Sequence, residues 1–176
     1  MEFTDEELML QVAKHDREEA LVELIERYRT PLVNHFLRRG VHHEYEDLAQ
    51  DTFVRLYKAR KRYKVRAKFR TYLYHIAHRV WQDHLRKSAR RQRRETAFRH
   101  EPRPQYAAPD TQSASDLDWA LSHLAALHRE VLVYAAIDHL SHAEISEILG
   151  IPTGTVKSRL HHAMTQLRTL LSKESP

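Results

Sequence analysis

Apolar positions recur at helical spacing along nearly the whole chain, and no stretch alternates apolar and polar residues as a half-buried strand would. Thr4 followed by Glu7 reads as a capping box that opens a short helix carrying Leu8 and Val12. A second helix from about Asp16 places Leu21, Leu24, Ile25, Tyr28, Leu32 and Phe36 on one stripe and stops near Gly40, with Pro31 expected to kink or divide it. A third runs from about Glu44 to Arg62 and a fourth from about Lys68 to Arg94. Glu101 to Ser115 holds three prolines and no apolar period, which marks a linker. Further helices are expected near Asp116 to Leu127 and His128 to His139, followed by a pair around Ile145 and Val156 to Leu171. The pattern predicts an all-α chain: two small helical domains, residues 1–96 and 116–176, joined by a flexible linker at 97–115.

Three helical surfaces hold more than a core requires. In the third helix Tyr45, Leu48, Ala49, Thr52, Leu56 and Ala59 make the core stripe, while Phe53, Val54 and Tyr57 fall with Asp47, Gln50 and Asp51 on a different face. Large apolar groups interleaved with hydrogen-bonding groups fit a partner-binding face, and equally a face covered by another helix of the same domain. In the fourth helix Phe69, Leu73, Ile76, Ala77 and Val80 form the core stripe. His75, Arg79, Gln82 and Arg86 form a polar row, with Tyr72, Tyr74 and Trp81 between the two faces. Cations and amides beside aromatic rings suit single-stranded nucleic acid, phosphates to the former and bases to the latter.

Near the C-terminus, Ser141 can cap a helix holding Ile145 and Leu149, Gly150 supplies a turn, and Thr153 can cap a second helix with Val156, Leu160, Ala163 and Leu167 inward. This is a helix-turn-helix pattern, whose outer row Thr155, Ser158, Arg159 and His162 would enter a major groove with Lys157 at a phosphate.

Charge sharpens the picture. The 176 residues carry a formal +5, but residues 55 to 99 alone carry +15, with 17 Lys and Arg against 2 Asp and Glu. So basic a block between acidic flanks is an electrostatic footprint for a polyanion. Three glycines make a glycine-cradled nucleotide site unexpected, and the absence of cysteine removes disulfides, thiolate zinc sites and cysteine nucleophiles. The acidic N-terminus lacks a signal-peptide pattern and no run approaches a membrane span, so the cytoplasm is the expected compartment. Of the 14 histidines, His75/His78 and His139/His142 have spacing that could share a metal, but without an HExxH pattern they read as polar surface. No catalytic constellation is identifiable, so neither an enzyme nor a cofactor is expected, and a metal-dependent nucleic-acid enzyme is the remote alternative.

Taken together, DLAQDTFVRLYKARKRY (Asp47 to Tyr63), KFRTYLYHIAHRVWQDHLRK (Lys68 to Lys87) and LSHAEISEILGIPTGTVKSRL (Leu140 to Leu160) resemble bacterial sigma factors of the extracytoplasmic function (ECF) group in motif, order and spacing. The resemblance implies a monomeric promoter-specificity factor that joins core RNA polymerase. It assigns Asp47, Gln50, Asp51, Phe53, Val54 and Tyr57 to the beta-prime clamp helices. Arg62, Lys64, Lys68, Tyr72, His75, Arg79, Gln82 and Arg86 would serve recognition and melting of the minus 10 element. Thr155, Lys157, Ser158, Arg159 and His162 would read the minus 35 element, beside the beta flap. An anti-sigma factor is a further implied partner. A stand-alone LuxR-like helix-turn-helix regulator is the alternative reading.

The chain departs from the family pattern in places: His78-Arg79 where the fourth helix often reads Arg-Asn, Tyr72 where a Trp is common, Ala125 where Pro often follows Leu, and Ser146 in the usual EIA. Because the basic block acts through phosphates, DNA binding should weaken steeply with added salt, and a titration of affinity against ionic strength that stays flat would refute that role.

Overall fold

The computed structural model describes residues 3–41, 43–98 and 116–172. It comprises eight α-helices among the described residues, with no strand: α1 Asp5–His15, α2 Glu18–Arg38, α3 Tyr45–Ala59, α4 Phe69–Phe98, α5 Asp116–Ser122, α6 Ala126–Leu132, α7 His142–Leu149 and α8 Thr153–Ser172. The expected linker lies outside the described residues except for 97 and 98, which complete α4.

Local chemistry sets most boundaries. The Thr4 hydroxyl accepts from Glu7 N–H while the Glu7 carboxylate accepts from Thr4 N–H at 2.8 Å, a complete capping box. The C-terminal cap of α1 is Asp16, at φ 50, a left-handed position that aspartate tolerates. α2 is not divided by Pro31. Pro31 sits on the exposed side of the helix, so the hydrogen bond that its missing N–H removes lies on the solvent face and not in the core. α3 tightens into a 3-10 turn at Arg60–Arg62. α4 is capped from a distance: Phe69 N–H donates to the Glu6 carboxylate of α1 at 2.6 Å. That bond joins the start of the basic helix to the N-terminal one.

The first four helices bury Leu8, Met9, Leu24, Leu32, Phe36, Leu56, Phe69 and Leu73 almost completely. The core stripe expected for α4 matches at all five positions, and that of α3 at Leu48, Ala49, Thr52 and Leu56, with Tyr45 and Ala59 only half-buried. Tyr74 departs from expectation: it is 2% exposed, a core residue and not one lying between faces. The reason is the second set of helices, which packs against α2 and α4 and encloses it. Val131, Tyr134, Leu140, Ile145, Ile148 and Val156 belong to the same apolar cluster as the first four helices, while Leu121, Leu124, Leu132 and Ala163 form a smaller one.

In the C-terminal helices, α6 runs into a π-helical turn, Val133–Ile137, in which Asp138 N–H donates to Val133 O at 3.0 Å. Ser141 and Glu144 form the second complete capping box, at the start of α7, and Gly150 ends that helix at φ 66. α8 begins at Thr153 itself, so Thr153 is its first residue and not its cap; the Pro152 carbonyl accepts from Thr155 and Val156. Leu24→Ala, at a position with no exposure, should destabilise the chain by about 2–5 kcal/mol. Gly150→Ala, at a left-handed turn in open space, should cost only about 1–2 kcal/mol, and urea unfolding of the two variants checks the ranking.

Candidate nucleic-acid and partner interfaces

Between α2 and α3 lies an open groove of about 620 Å³ with an apolar floor of Leu21, Ile25, Ala49 and Phe53. Asp47, Gln50, Val54 and Tyr57 reach its rim, as their shared helical face predicts. Val54 and Tyr57 are 42% and 41% exposed, large apolar groups left in water. Phe53 needs correcting: at 8% exposure it belongs to the core cluster, and only a small part of it lines the groove. Asp51 is not brought together with the others. Its carboxylate accepts from Arg55 Nη2 of the same helix at 2.9 Å, and Arg55 in turn donates to Asp83 of α4 at 2.6 Å.

The basic loop after α3 is anchored at one end. Asp16 accepts from Arg60 Nε and Lys61 Nζ, both at 2.6 Å, and these hydrogen bonds hold its carboxyl below the ordinary carboxylate range. Arg60 also lies over the Tyr57 ring at 3.8 Å. Arg62, Lys64 and Lys68 remain exposed, with Lys68 Nζ 3.8 Å from Glu144. Along α4, Arg79, Gln82 and Arg86 are exposed, Arg86 paired with Asp83 at 2.6 Å. Tyr72 is half-buried against Tyr63, ring centroids 5.2 Å apart. His75 is half-buried too, and burial together with Arg79 lowers its pKa.

Tyr63 is a residue that the sequence did not single out. Its ring packs on Phe69 and Tyr72, and its buried hydroxyl has no hydrogen-bond partner; burial pushes its pKa up to about 12. On α8, Lys157, Ser158 and His162 are exposed while Thr155 and Arg159 are half-buried. The His162 ring stacks on His128 of α6, centroids 5.7 Å apart.

Sequence reasoning also missed the polar contact between the two helical sets. His35 Nδ1 lies 2.6 Å from Asp138, whose other oxygen accepts from Tyr74 at 2.9 Å. Arg39 binds Glu130 and donates to the Tyr134 hydroxyl at 3.2 Å. Thr71 donates to Glu144 at 3.1 Å, and Arg70 to the carbonyl of His139 at 2.8 Å. The available signal was His35 on the apolar stripe of α2, a polar residue at a core position.

Helix bundle, groove, cationic row and helix-turn-helix together define a two-part DNA-binding transcription factor. Residues 24–91 match the family model for Sigma-70 region 2, and residues 115–167 the one for Sigma-70, region 4. The ECF sigma factor SigW of Bacillus subtilis is 31% identical over 97% of this chain and 98% of its own. CarQ, an RNA polymerase sigma factor of Myxococcus xanthus, is 33% identical over 89% and 91%. The ECF sigma factor SigE of Mycolicibacterium smegmatis is 32% identical over 77% of this chain and 55% of its own.

The solved structure of CnrH in complex with the cytosolic domain of CnrY superposes with a TM-score of 0.73 at 26% identity, covering 97% and 99% of the two chains. RpoE of Bartonella quintana, solved with the anti-sigma factor NepR, shares the fold, with a TM-score of 0.71 at 21% identity over 86% and 96%. The chain belongs to the sigma-70 family, in its ECF group. It is a sigma factor that directs RNA polymerase to promoters, and the region 2 match leaves the stand-alone regulator unsupported.

His78 gives the contact between the helical sets a pH dependence. Burial, then the Arg39 guanidinium, lowers its pKa to about 4; Glu130 at 3.5 Å acts the other way, and His75 and His35 add to the lowering. An undocked His78 takes up a proton near the ordinary 6.5 that the docked one resists, so the docked fold should be fully stable above that pH and weaken as pH falls toward about 4. Thermal unfolding across that window should show a steeper loss for the wild type than for His78→Gln.

Proposed function

We propose that the α2–α3 groove is the seat of the polymerase: Val54 and Tyr57 supply the apolar contact area on the beta-prime clamp helices, and Asp47 and Gln50 fix the register. Arg62, Lys64, Lys68, Arg79 and Arg86 hold the phosphates of the opened non-template strand at the minus 10 element. Tyr72 and His75 meet its bases, and Gln82 offers an amide to a base edge. The outer row of α8, Thr155, Ser158, Arg159 and His162, reads the minus 35 duplex with Lys157 on a phosphate, and the C-terminal unit sits beside the beta flap.

The linker at 97–115 then lets units 1–96 and 116–176 reach separate elements. The chain performs no bond chemistry, needs no cofactor, works in the cytoplasm as a monomer joining polymerase one to one, and is held in check by an anti-sigma factor. Melting has a clear energetic basis: each opened step costs about 1–2 kcal/mol of stacking. Aromatic stacking and phosphate contacts offset that cost.

The observation that carries this reading is the placement, on adjacent helices of one small unit, of an unpartnered apolar groove and an exposed cationic row. Because Phe53 is a core residue, the clean test is the double variant Val54→Ala, Tyr57→Ala, which leaves the core intact. Its affinity for sigma-free core polymerase should fall at least about tenfold, close to 1.4 kcal/mol, with thermal stability unchanged. Unaltered co-elution on gel filtration would remove the groove from the interface. Arg86→Ala should weaken all promoters alike, whereas Arg159→Ala should change minus 35 preference; matching effects on a promoter panel would refute that division of labour.

A further inference from the structure

The basic loop after α3 is tied down at both ends. Asp16 holds Arg60 and Lys61 at its start, and Glu6 accepts from the backbone of Phe69 where α4 begins. Between these ties Tyr63 is 6% exposed, its ring against those of Phe69 and Tyr72, and it anchors the loop to the core. Only residues 64–68 are left to cross the surface. Among them Arg66 N–H donates to Lys64 O at 2.8 Å, which closes a tight turn with Val65 at its apex.

Val65 is 54% exposed. A single apolar side chain in water needs no explanation on an ordinary surface. This one differs in how it is presented: the turn fixes its backbone, its branched Cβ restricts χ1, and the exposed Lys64 and Arg66 flank it. No acidic residue lies between Asp51 and Asp83, so no carboxylate of the loop itself competes for these cations. A rigid apolar tip between two cations is complementary to an apolar face edged on both sides by negative charge. Stacked bases edged by phosphates are such a face. Proteins that part base steps insert apolar side chains into the stack and hold the backbone with cations.

We propose that Val65 is the wedge that starts strand opening. Lys64 and Arg66 hold phosphates on either side, and the valine enters the stack at the minus 10 element, covering the face of the base left behind when its neighbour turns out toward Tyr72. This role rests on the assignment of the loop and Tyr72 to the opened strand. Because the contact forms only once a step has opened, it lowers the barrier to opening and adds nothing to the binding of closed duplex. The cations, by contrast, grip phosphates in closed and opened DNA alike.

Opening is measured with the full chain on core polymerase, at the promoter that the wild-type holoenzyme selects from a pool of randomised duplexes, with 2-aminopurine in the minus 10 element reporting unstacking. Val65→Ala should open that duplex at least about tenfold more slowly, close to the stacking of one base step expressed as a rate. Closed-complex affinity, co-elution with core polymerase and thermal stability should keep their wild-type values, since the side chain is exposed. Val65→Ile, which keeps the branched apolar shape, should open at close to the wild-type rate, whereas Val65→Thr, equal in shape but polar, should be slow. On the same promoter with the minus 10 bases mismatched, and so parted beforehand, the loss should shrink below about twofold.

Equal losses on the duplex and the mismatched promoter would make Val65 an ordinary contact and overturn the wedge. An unchanged rate on both would overturn it too. Failure of the underlying assignment is separately visible: Lys64→Ala and Tyr72→Ala would then leave affinity for the mismatched promoter unchanged.

Discussion

The structure depends on α4 serving two masters at about 100° per residue. Phe69, Leu73, Ile76, Ala77 and Val80 must face inward for the first four helices to have a core, and that fixes where every other side chain of the helix points. The cationic row cannot be moved without moving the core, so the electrostatic surface is as rigid as the packing beneath it. The start of the helix is held by Glu6 from α1, and the loop before it by Asp16, the last cap of that helix. The N-terminal helix thus positions a basic surface to which it contributes no cation.

Much of this was legible in the sequence because the information is local. Capping boxes at Thr4 and Ser141, the turn at Gly150 and the stripes of α3 and α4 all follow from residues within a few positions of one another. Phe53 and Asp51 were harder. Helical spacing gives an angle around one axis but not which neighbouring helix lies there, so a ring near the boundary of a face became core, and a carboxylate near the other boundary joined Arg55 and Asp83.

The contact between the two helical sets left only one trace in the sequence, a histidine at a core position, for the same physical reason carried further. His35 and Asp138 are 103 positions apart, and nothing in the polar character of either residue names the other. Only packing, with Tyr74 and Tyr134 closing the sides, makes a histidine on an apolar stripe intelligible.

Pro31 gives α2 a property that its continuous outline conceals. Pro31 supplies no N–H to the hydrogen-bond ladder, so the two ends of the continuous helix are coupled less tightly across that position than along the rest of it. The N-terminal segment, with Leu21 and Ile25, lines the groove; the C-terminal segment, with His35 and Arg39 just beyond it, meets the second set of helices. Amide exchange in the later segment can therefore quicken while the earlier one keeps its protection, so that one helix carries the groove and the second helical set on stretches of different local stability.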